Sequence, residues 1–464
     1  MAINSNAMKL VKTACVIAGL GGLLFGLDQG FINGSLVYIQ KDLNLSLSMG
    51  ESYASIMLYG CIVGALCSGW ISKKIGRKST LLLAAGFFSV FTLIGALSYN
   101  IHILYGARFA LGLAVGCASF VVPLYLAEIA PTRMRGSFIT MYQFMITLGI
   151  FIVFLSNSII GTYFHSWRLM LLFITIPSII MLIGVIFIPK SPRWLVLKGK
   201  IKEAESVLEK TRETQEEVKI ELEEITKSIA NEGAVQQSGW MMLKNPYFVK
   251  VLLLGVFIMI LTQFSGINAI IYYSGDIFKR VGFANPSTAT VIMGLINIFV
   301  TIIAIKYIDK WGRKPIMYGG LSVMVVMLVV VAGIFHLQKD GGVLNSFEQI
   351  VLVASCLIFV ASFAMSMGPI PWVICAEIFP LEGRDFGLTV TTAACWFSAA
   401  IVVRFSMSII HYWGGSIAFV IFAACCIINL LVVFFFTPET KGISLEEIEI
   451  NLKSGKKLRE IGIK

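Results

Sequence analysis

The residues of this 464-residue chain best able to do chemistry are charges and amides set inside long apolar runs. Asp28 lies in GLGGLLFGLDQGFINGS. An ionised carboxylate inside a bilayer costs about 2.5–3.5 kcal/mol even on the lenient insertion scale, so an opposite charge must offset it. Arg108, in GARFALG, is the one basic residue clearly inside another span of the same half. Along helices rising about 1.5 Å per residue, Asp28 is about 24 Å from the surface marked by Lys12, and Arg108 roughly 9 Å from the opposite surface. In a hydrocarbon core about 30 Å thick the two share a level. Glycines at 22, 26, 30 and 34 recur every fourth residue and let this span approach a neighbour closely. Such a pair can pass a proton or simply hold two helices together.

Amides and rings fall near the same midplane. Gln143 is about 12 Å along its span from Arg135, Gln263 about 20 Å from Lys250, and Trp396 about 18 Å from Arg384. Amides that both donate and accept hydrogen bonds, beside flat rings, suit a hydroxyl-rich solute such as a sugar. The seventh apolar stretch is expected to break at Ser265 and Gly266, freeing backbone groups near Asn268. The tenth should break at Gly368, Pro369 and Pro371, just before Trp372. Any one of these, taken singly, could instead be packing or interhelical glue.

The elements that position these residues must be membrane helices. With 57% hydrophobic and 14% charged residues, the composition is far from the roughly 25% charged of soluble domains. Stretches of about 20 apolar residues, enough to cross a bilayer, run over 13–37, 53–72, 80–99, 102–127, 138–161, 168–189, 248–275, 287–307, 315–337, 348–376, 387–411 and 413–436. The formal net charge of +11 does not indicate nucleic-acid binding, because the basic residues sit in alternate loops: Lys73, Lys74, Arg77 and Lys78; Arg133 and Arg135; Lys310, Arg313 and Lys314; Arg384; and the tail. The opposite loops hold little beyond Lys41, Lys279, Arg280 and Lys339. This asymmetry puts both termini and the 190–246 loop in the cytoplasm. That loop places Ile201, Ala204, Val207, Leu208, Val218, Leu222, Ile225 and Ile229 at helical spacing, which predicts amphipathic helices packing across the two halves. The first span is read as retained, since it is too long for a signal segment and lacks a small-residue cleavage site. Nine cysteines lie in apolar spans without paired metal-site spacing and read as small hydrophobes.

Two motifs recur in the same order. GWISKKIGRK at 69–78 is echoed by KYIDKWGRKP at 306–315, and EIAPTRMRG (Glu128, Arg135) by EIFPLEGRDFG (Glu377, Arg384). The halves therefore arose by duplication. Together with SPRW at 191–194, QFSGINAIIYY, GPIPW and PETKG, these segments resemble the sugar porter family of the major facilitator superfamily over nearly the whole chain. The likeness is greatest to its bacterial galactose and arabinose proton symporters.

The resemblance implies an all-α integral membrane protein with 12 transmembrane helices in two six-helix bundles. These would occupy 1–189 and 247–437, joined by a cytoplasmic helical linker at 190–246 and followed by a tail at 438–464. It implies a monosaccharide (hexose or pentose) imported with H+ by alternating access. Asp28 would carry the proton and pair with Arg108, whereas uniporters have a neutral residue at the aspartate position. Gln143, Gln263, Asn268 and Asn297 match solute hydrogen-bonding positions, and Trp372 and Trp396 an aromatic floor and wall. Phe25, Ile150, Tyr272 and Tyr273 match gate or site-lining positions. Arg77, Glu128, Arg135, Asp309, Arg313, Glu377 and Arg384 match a cytoplasmic latch, in which Lys73 stands where relatives keep an acidic or amide residue. Thr262 and Cys395 match further site-lining positions and replace amides there, so the affinity or the preferred hydroxyl pattern should differ from that of the galactose porters.

The remaining expectations are no cofactor or metal, no enzymatic activity, and no nucleic-acid partner. A monomer in a bacterial inner membrane is expected. An inositol or polyol symporter is the runner-up. A transporter-like sensor would carry a longer tail than the stretch after PETKG, and no HExxH or GxSxG motif suggests an enzyme.

Overall fold

The computed structural model describes residues 5–131, 134–235, 239–338, 344–443 and 445–462. Arg133 and Lys339 lie outside these residues, as do the side chains of Arg135 and Asp309. Hydrocarbon offers no hydrogen-bond partners, so each apolar run satisfies its backbone internally as a helix. Among the described residues there are helices and no strand. The first half comprises α1 (Ser5–Asp42), α2 (Leu47–Ile75), α3 (Arg77–Leu97), α4 (Ile101–Ile129), α5 (Arg135–Tyr163) and α6 (Trp167–Phe187). Four helices follow before the second half: α7 (Pro192–Leu197), α8 (Ile201–Thr211), α9 (Gln215–Val235) and α10 (Gly239–Met242). The second half holds α11 (Pro246–Phe264), α12 (Ile267–Arg280), α13 (Pro286–Trp311), α14 (Arg313–Leu337), α15 (Ser346–Met365), α16 (Ile370–Ile378), α17 (Arg384–Tyr412) and α18 (Gly415–Phe435), and α19 (Leu445–Lys453) lies in the tail. Counted with α11–α12 and α15–α16 as broken single spans, 12 helices among the described residues are long and apolar enough to cross a membrane.

Both breaks fall where the residue types require them. Gly266, at φ +85°, turns the chain between α11 and α12 through a left-handed conformation that glycine adopts without strain. Between α15 and α16, Ser366 leaves the helical region and Pro369 and Pro371 cannot donate to a preceding turn.

The described chain forms two compact units that cut across the sequence halves. One comprises Met1–Asp28, Tyr59–Ile150 and Arg168–Gln236, the other Gln29–Leu58, Phe151–Trp167 and Gln237–Lys464. In the first, the glycines of α1 lie on α5: a Cβ at Gly26 would sit 2.0 Å from the Ile146 carbonyl oxygen. The linker helices α7–α9 fold against this unit. Leu195, Val196 and Ala204 form a small core with Trp194, Val207, Leu222, Ile225 and Ile229. Ile201, expected on that face, is instead 47% exposed. Arg212 fixes the linker to α4 by donating to the Ile129 carbonyl at 3.0 Å while pairing with Glu221.

In the second unit α14 packs on α15 and α18, and α11 on α17. The far ends of α1, α2 and α5 belong here: Asn33 Nδ2 donates to Ser274 Oγ and to the Ile271 carbonyl, each at 2.7 Å, Ser408 N–H donates to Glu51 of α2, and Phe151 and Phe154 of α5 lie against Gly294. The short α10 packs on α17, with the Trp240 and Phe386 rings 5.2 Å apart. All nine cysteines are free; Cys67 is exposed and Cys425 half-buried on helix faces, while the other seven are buried.

The α1–α5 contact leaves no space for a side chain at Gly26. Gly26→Leu should cost at least about 3 kcal/mol, the upper range for overpacking, and remove the monodisperse peak in detergent size-exclusion chromatography. Gly106→Ala, with nothing within 4 Å of its new methyl, should leave that peak unchanged.

Candidate functional site

Arg108 and Asp28 are brought together within the first unit. Arg108 Nη1 donates to Asp28 Oδ1, and Nη2 approaches the Asp28 carbonyl at 3.4 Å. Both are out of water, at 1% and 0% exposure. Asp28 Oδ2 has no hydrogen-bond partner among the described residues. The carboxylate therefore offers one bonded oxygen and one open to a proton. Gln143 lies half-buried on α5 and makes no hydrogen bond among the described residues, with Ile150 buried two turns further on. Phe25 is half-buried on α1, one turn before Asp28.

In the second unit a chain of polar groups crosses the break in span seven. Gln29 Nε2 donates to Asn268 Oδ1 at 3.1 Å, Asn268 Nδ2 to Gln263 Oε1 at 2.6 Å, and Gln263 Nε2 to Cys395 Sγ at 3.1 Å. The turn at Gly266 makes this possible, because it sets Gln263 and Asn268 on facing helix ends. Thr262 is not part of the chain: its hydroxyl donates back to the Ile258 carbonyl at 2.7 Å. Asn297, on α13, is 8% exposed and has no hydrogen bond among the described residues. Trp396 is buried beside Cys395, whereas Trp372, after the break in span ten, is 39% exposed. Tyr272 and Tyr273 are fully buried, and the Tyr273 hydroxyl donates to the Val403 carbonyl at 2.8 Å.

The repeated loop motifs build the same cluster twice. Arg77 grips Glu128 with Nε and Nη2, at 2.8 Å each to opposite oxygens, and Ser191 Oγ donates to the same carboxylate at 2.5 Å. In the second half Arg313 Nη2 reaches Glu377 at 2.9 Å, and Thr440 Oγ1 donates to it at 2.5 Å. Lys78 donates to the Ile186 carbonyl at the end of α6, and Lys314 to those of Phe434 and Thr437 at the end of α18. Gly76 and Gly312 open α3 and α14 at φ +92° and +89°, with Trp194 packed against the first and Glu439 against the second. Glu439 also accepts from the Arg313 and Lys314 main-chain N–H groups. Arg384 takes up the Phe379 carbonyl at the end of α16. The Lys73 carbonyl accepts from Trp194 Nε1 at 3.1 Å, so its main chain serves the cluster whatever its side chain.

Sequence reasoning missed Gln29, Ser191, Glu439 and Thr440. Gln29 was visible as an amide beside the buried acid, and the other three lie in SPRW and PETKG, whose corresponding positions were themselves the signal. No group of three or more metal-ligating side chains occurs among the described residues.

Breaking the buried pair on one side only should be the more damaging change. Arg108→Leu is expected to cost about 3–5 kcal/mol by stranding the carboxylate. Arg108→Leu combined with Asp28→Asn should recover much of it, read as thermal unfolding in detergent.

A family model described as "Sugar (and other) transporter" matches residues 14–452. The galactose-proton symporter of Escherichia coli K12 is 43% identical over 452 residues, covering 97% of this chain and 96% of that protein. The arabinose-proton symporter of the same strain is 39% identical, covering 97% and 94%. The inward-open structure of the E. coli xylose transporter XylE superposes with a TM-score of 0.80 at 30% identity, covering 95% of this chain and 99% of that one. The chain belongs to the sugar transporter family and has the fold of the major facilitator superfamily.

Proposed function

We propose that this protein is a proton-coupled monosaccharide symporter that imports a hexose or pentose with H+ by alternating access. The observation that carries the reading is the buried Asp28–Arg108 pair with one carboxylate oxygen unpartnered, inside a chain most of whose length matches named sugar-proton symporters. A proton arriving at Asp28 Oδ2 would neutralise the acid and turn a charged contact with Arg108 into a weaker neutral one. Freed of that contact, the helices would exchange between outward and inward arrangements with a lower barrier. One proton moving down the membrane potential supplies about 2.3 kcal/mol per 100 mV, enough for roughly fifty-fold accumulation.

The solute would take up the amides of Gln143, Gln263, Asn268 and Asn297 against the rings of Trp372 and Trp396, with Phe25, Ile150, Tyr272 and Tyr273 lining or gating the path. Gln29 would join them, since its bond to Asn268 holds an acceptor that a sugar hydroxyl can claim. The Thr262 hydroxyl is spent on its own helix and Cys395 offers sulfur in place of an amide, which supports a hydroxyl preference distinct from the galactose carriers. Residues 1–189 and 247–437 would act as the two rocking bundles and 190–246 as the cytoplasmic linker. Both termini and the two Arg–Glu clusters would face the cytoplasm. The carrier would work as a monomer in the bacterial inner membrane without a cofactor.

Adding galactose, glucose, arabinose, xylose, fucose or inositol to energy-depleted cells should alkalinise the medium for at least one of the monosaccharides; a proton signal with none of them would overturn the reading, and one with inositol alone would favour a polyol carrier. Asp28→Asn should abolish uphill accumulation while sparing counterflow. Gln29→Leu should change KM for the sugar several-fold, with a smaller change in maximal counterflow rate.

A further inference from the structure

The sugar and proton sites leave unexplained a second buried acid at the end of the molecule opposite the GRK turns. Glu51, in the second turn of α2, is 1% exposed. Its carboxylate is bonded entirely by one helix of the other half: Ser408 N–H donates to Oε1 at 2.7 Å, Ser408 Oγ donates to Oε2, and Arg404 Nη1 lies 3.4 Å from Oε2. Arg404 Nη2 also donates to Ser48 Oγ at 3.0 Å. A main-chain N–H inside a helix ordinarily bonds the carbonyl four residues back, so its use by Glu51 is a specific join and no by-product of packing.

Packing beside these bonds is incomplete. Beside them runs a cavity of about 440 Å³, lined among others by Gln40, Glu51, Tyr273, Asp276, Lys279 and Arg280. Another join between the halves toward this end, Asn33 to Ser274, is neutral. The clusters at the GRK end have a different character, because each Arg–Glu pair closes within its own half.

We infer that Glu51, with Arg404 and Ser408, is the clasp that closes the outer end of the carrier, and that its release is a required step in opening the sugar path to the outside. This rests on the alternating-access reading above. Glu51 is a positioning residue: it touches neither sugar nor the coupling pair, and it sets the balance between outward-open and outward-closed states.

Cys395 supplies the reporter. It is 3% exposed, lies about 20 Å along α17 from Ser408, and bonds Gln263. In intact cells, a membrane-impermeant maleimide should label Cys395 roughly tenfold faster in Glu51→Ala than in the unaltered chain, the population shift expected from losing hydrogen bonds to a charged group. Labelling is taken as the difference from the same chain carrying Cys395→Ala. Ser408→Ala should give a smaller rise, and the double variant no more than Glu51→Ala alone, because the two act through one contact. Unchanged labelling in Glu51→Ala and Ser408→Ala, with both present in the membrane at normal amounts, would overturn the clasp. Should Glu51→Ala not reach the membrane, Ser408→Ala and Arg404→Gln decide on the same readout. If labelling shifts as expected while the unaltered chain gives no sugar-driven proton movement, the clasp stands and the symport reading fails.

Discussion

The ion pair between Asp28 and Arg108 is kept out of water, and its position dictates how closely the surrounding helices must pack. Two charges in hydrocarbon are tolerable only in direct contact. Contact at that depth requires α1 to lie deep among its neighbours, which its glycines permit by letting the α5 backbone approach within a methyl's width. Bulkier residues on that face would collide with α5, while Arg108 reaches the carboxylate from α4. The same small-residue logic joins α2 to α4, where a Cβ at Gly60 or Gly64 would meet the carbonyls of Phe109 or Leu113. Close packing in this protein is therefore as much an electrostatic device as a steric one.

Duplication supplied two copies of one structural cluster and left function to what differs between them. Each half has a glycine turn opening a helix, an arginine on a glutamate, a lysine on the carbonyls ending its last span, and a hydroxyl from the segment just beyond. Among the described residues the buried Asp28–Arg108 pair has no counterpart of this kind in the second half, where broken helices and an amide chain are found instead. A carrier needs both: matching ends that exchange positions, and unlike centres that respond to different ligands.

The fold was legible because lipid leaves a chain few options. Among the described residues, twelve apolar runs became twelve spans; most run a few residues past the apolar stretch, as α5 and α17 do, whereas α6 and α18 stop short of it, and a polar cap opens α4 at Asn100. The breaks at Gly266 and Pro369 followed from residue chemistry alone. The pairing of Asp28 with Arg108 could be read from depth, since helical rise converts sequence position into height. Azimuth could not. Which side of α2 carries Glu51, and that it meets Ser408 more than 350 residues later, depends on helix rotation that no spacing rule encodes. For the same reason neither the turn of the Thr262 hydroxyl back onto α11 nor the bond from Gln29 to Asn268 can be read from spacing. The unit boundaries, which pass between Asp28 and Gln29, likewise depend on contacts made after the halves meet.

The 80 residues that separate Asp28 from Arg108 in the chain also bear on how the protein is made. At ribosomal speeds of about 5–20 residues per second, the first span waits roughly 4–16 s before its counter-charge has even been synthesised. During that interval α1 must hold its place in the membrane with its carboxylate unanswered, relying on the leucines, isoleucines and phenylalanines around it. Until then only the apolar residues of this one helix offset the cost of its carboxylate, about 2.5–3.5 kcal/mol on the insertion scale.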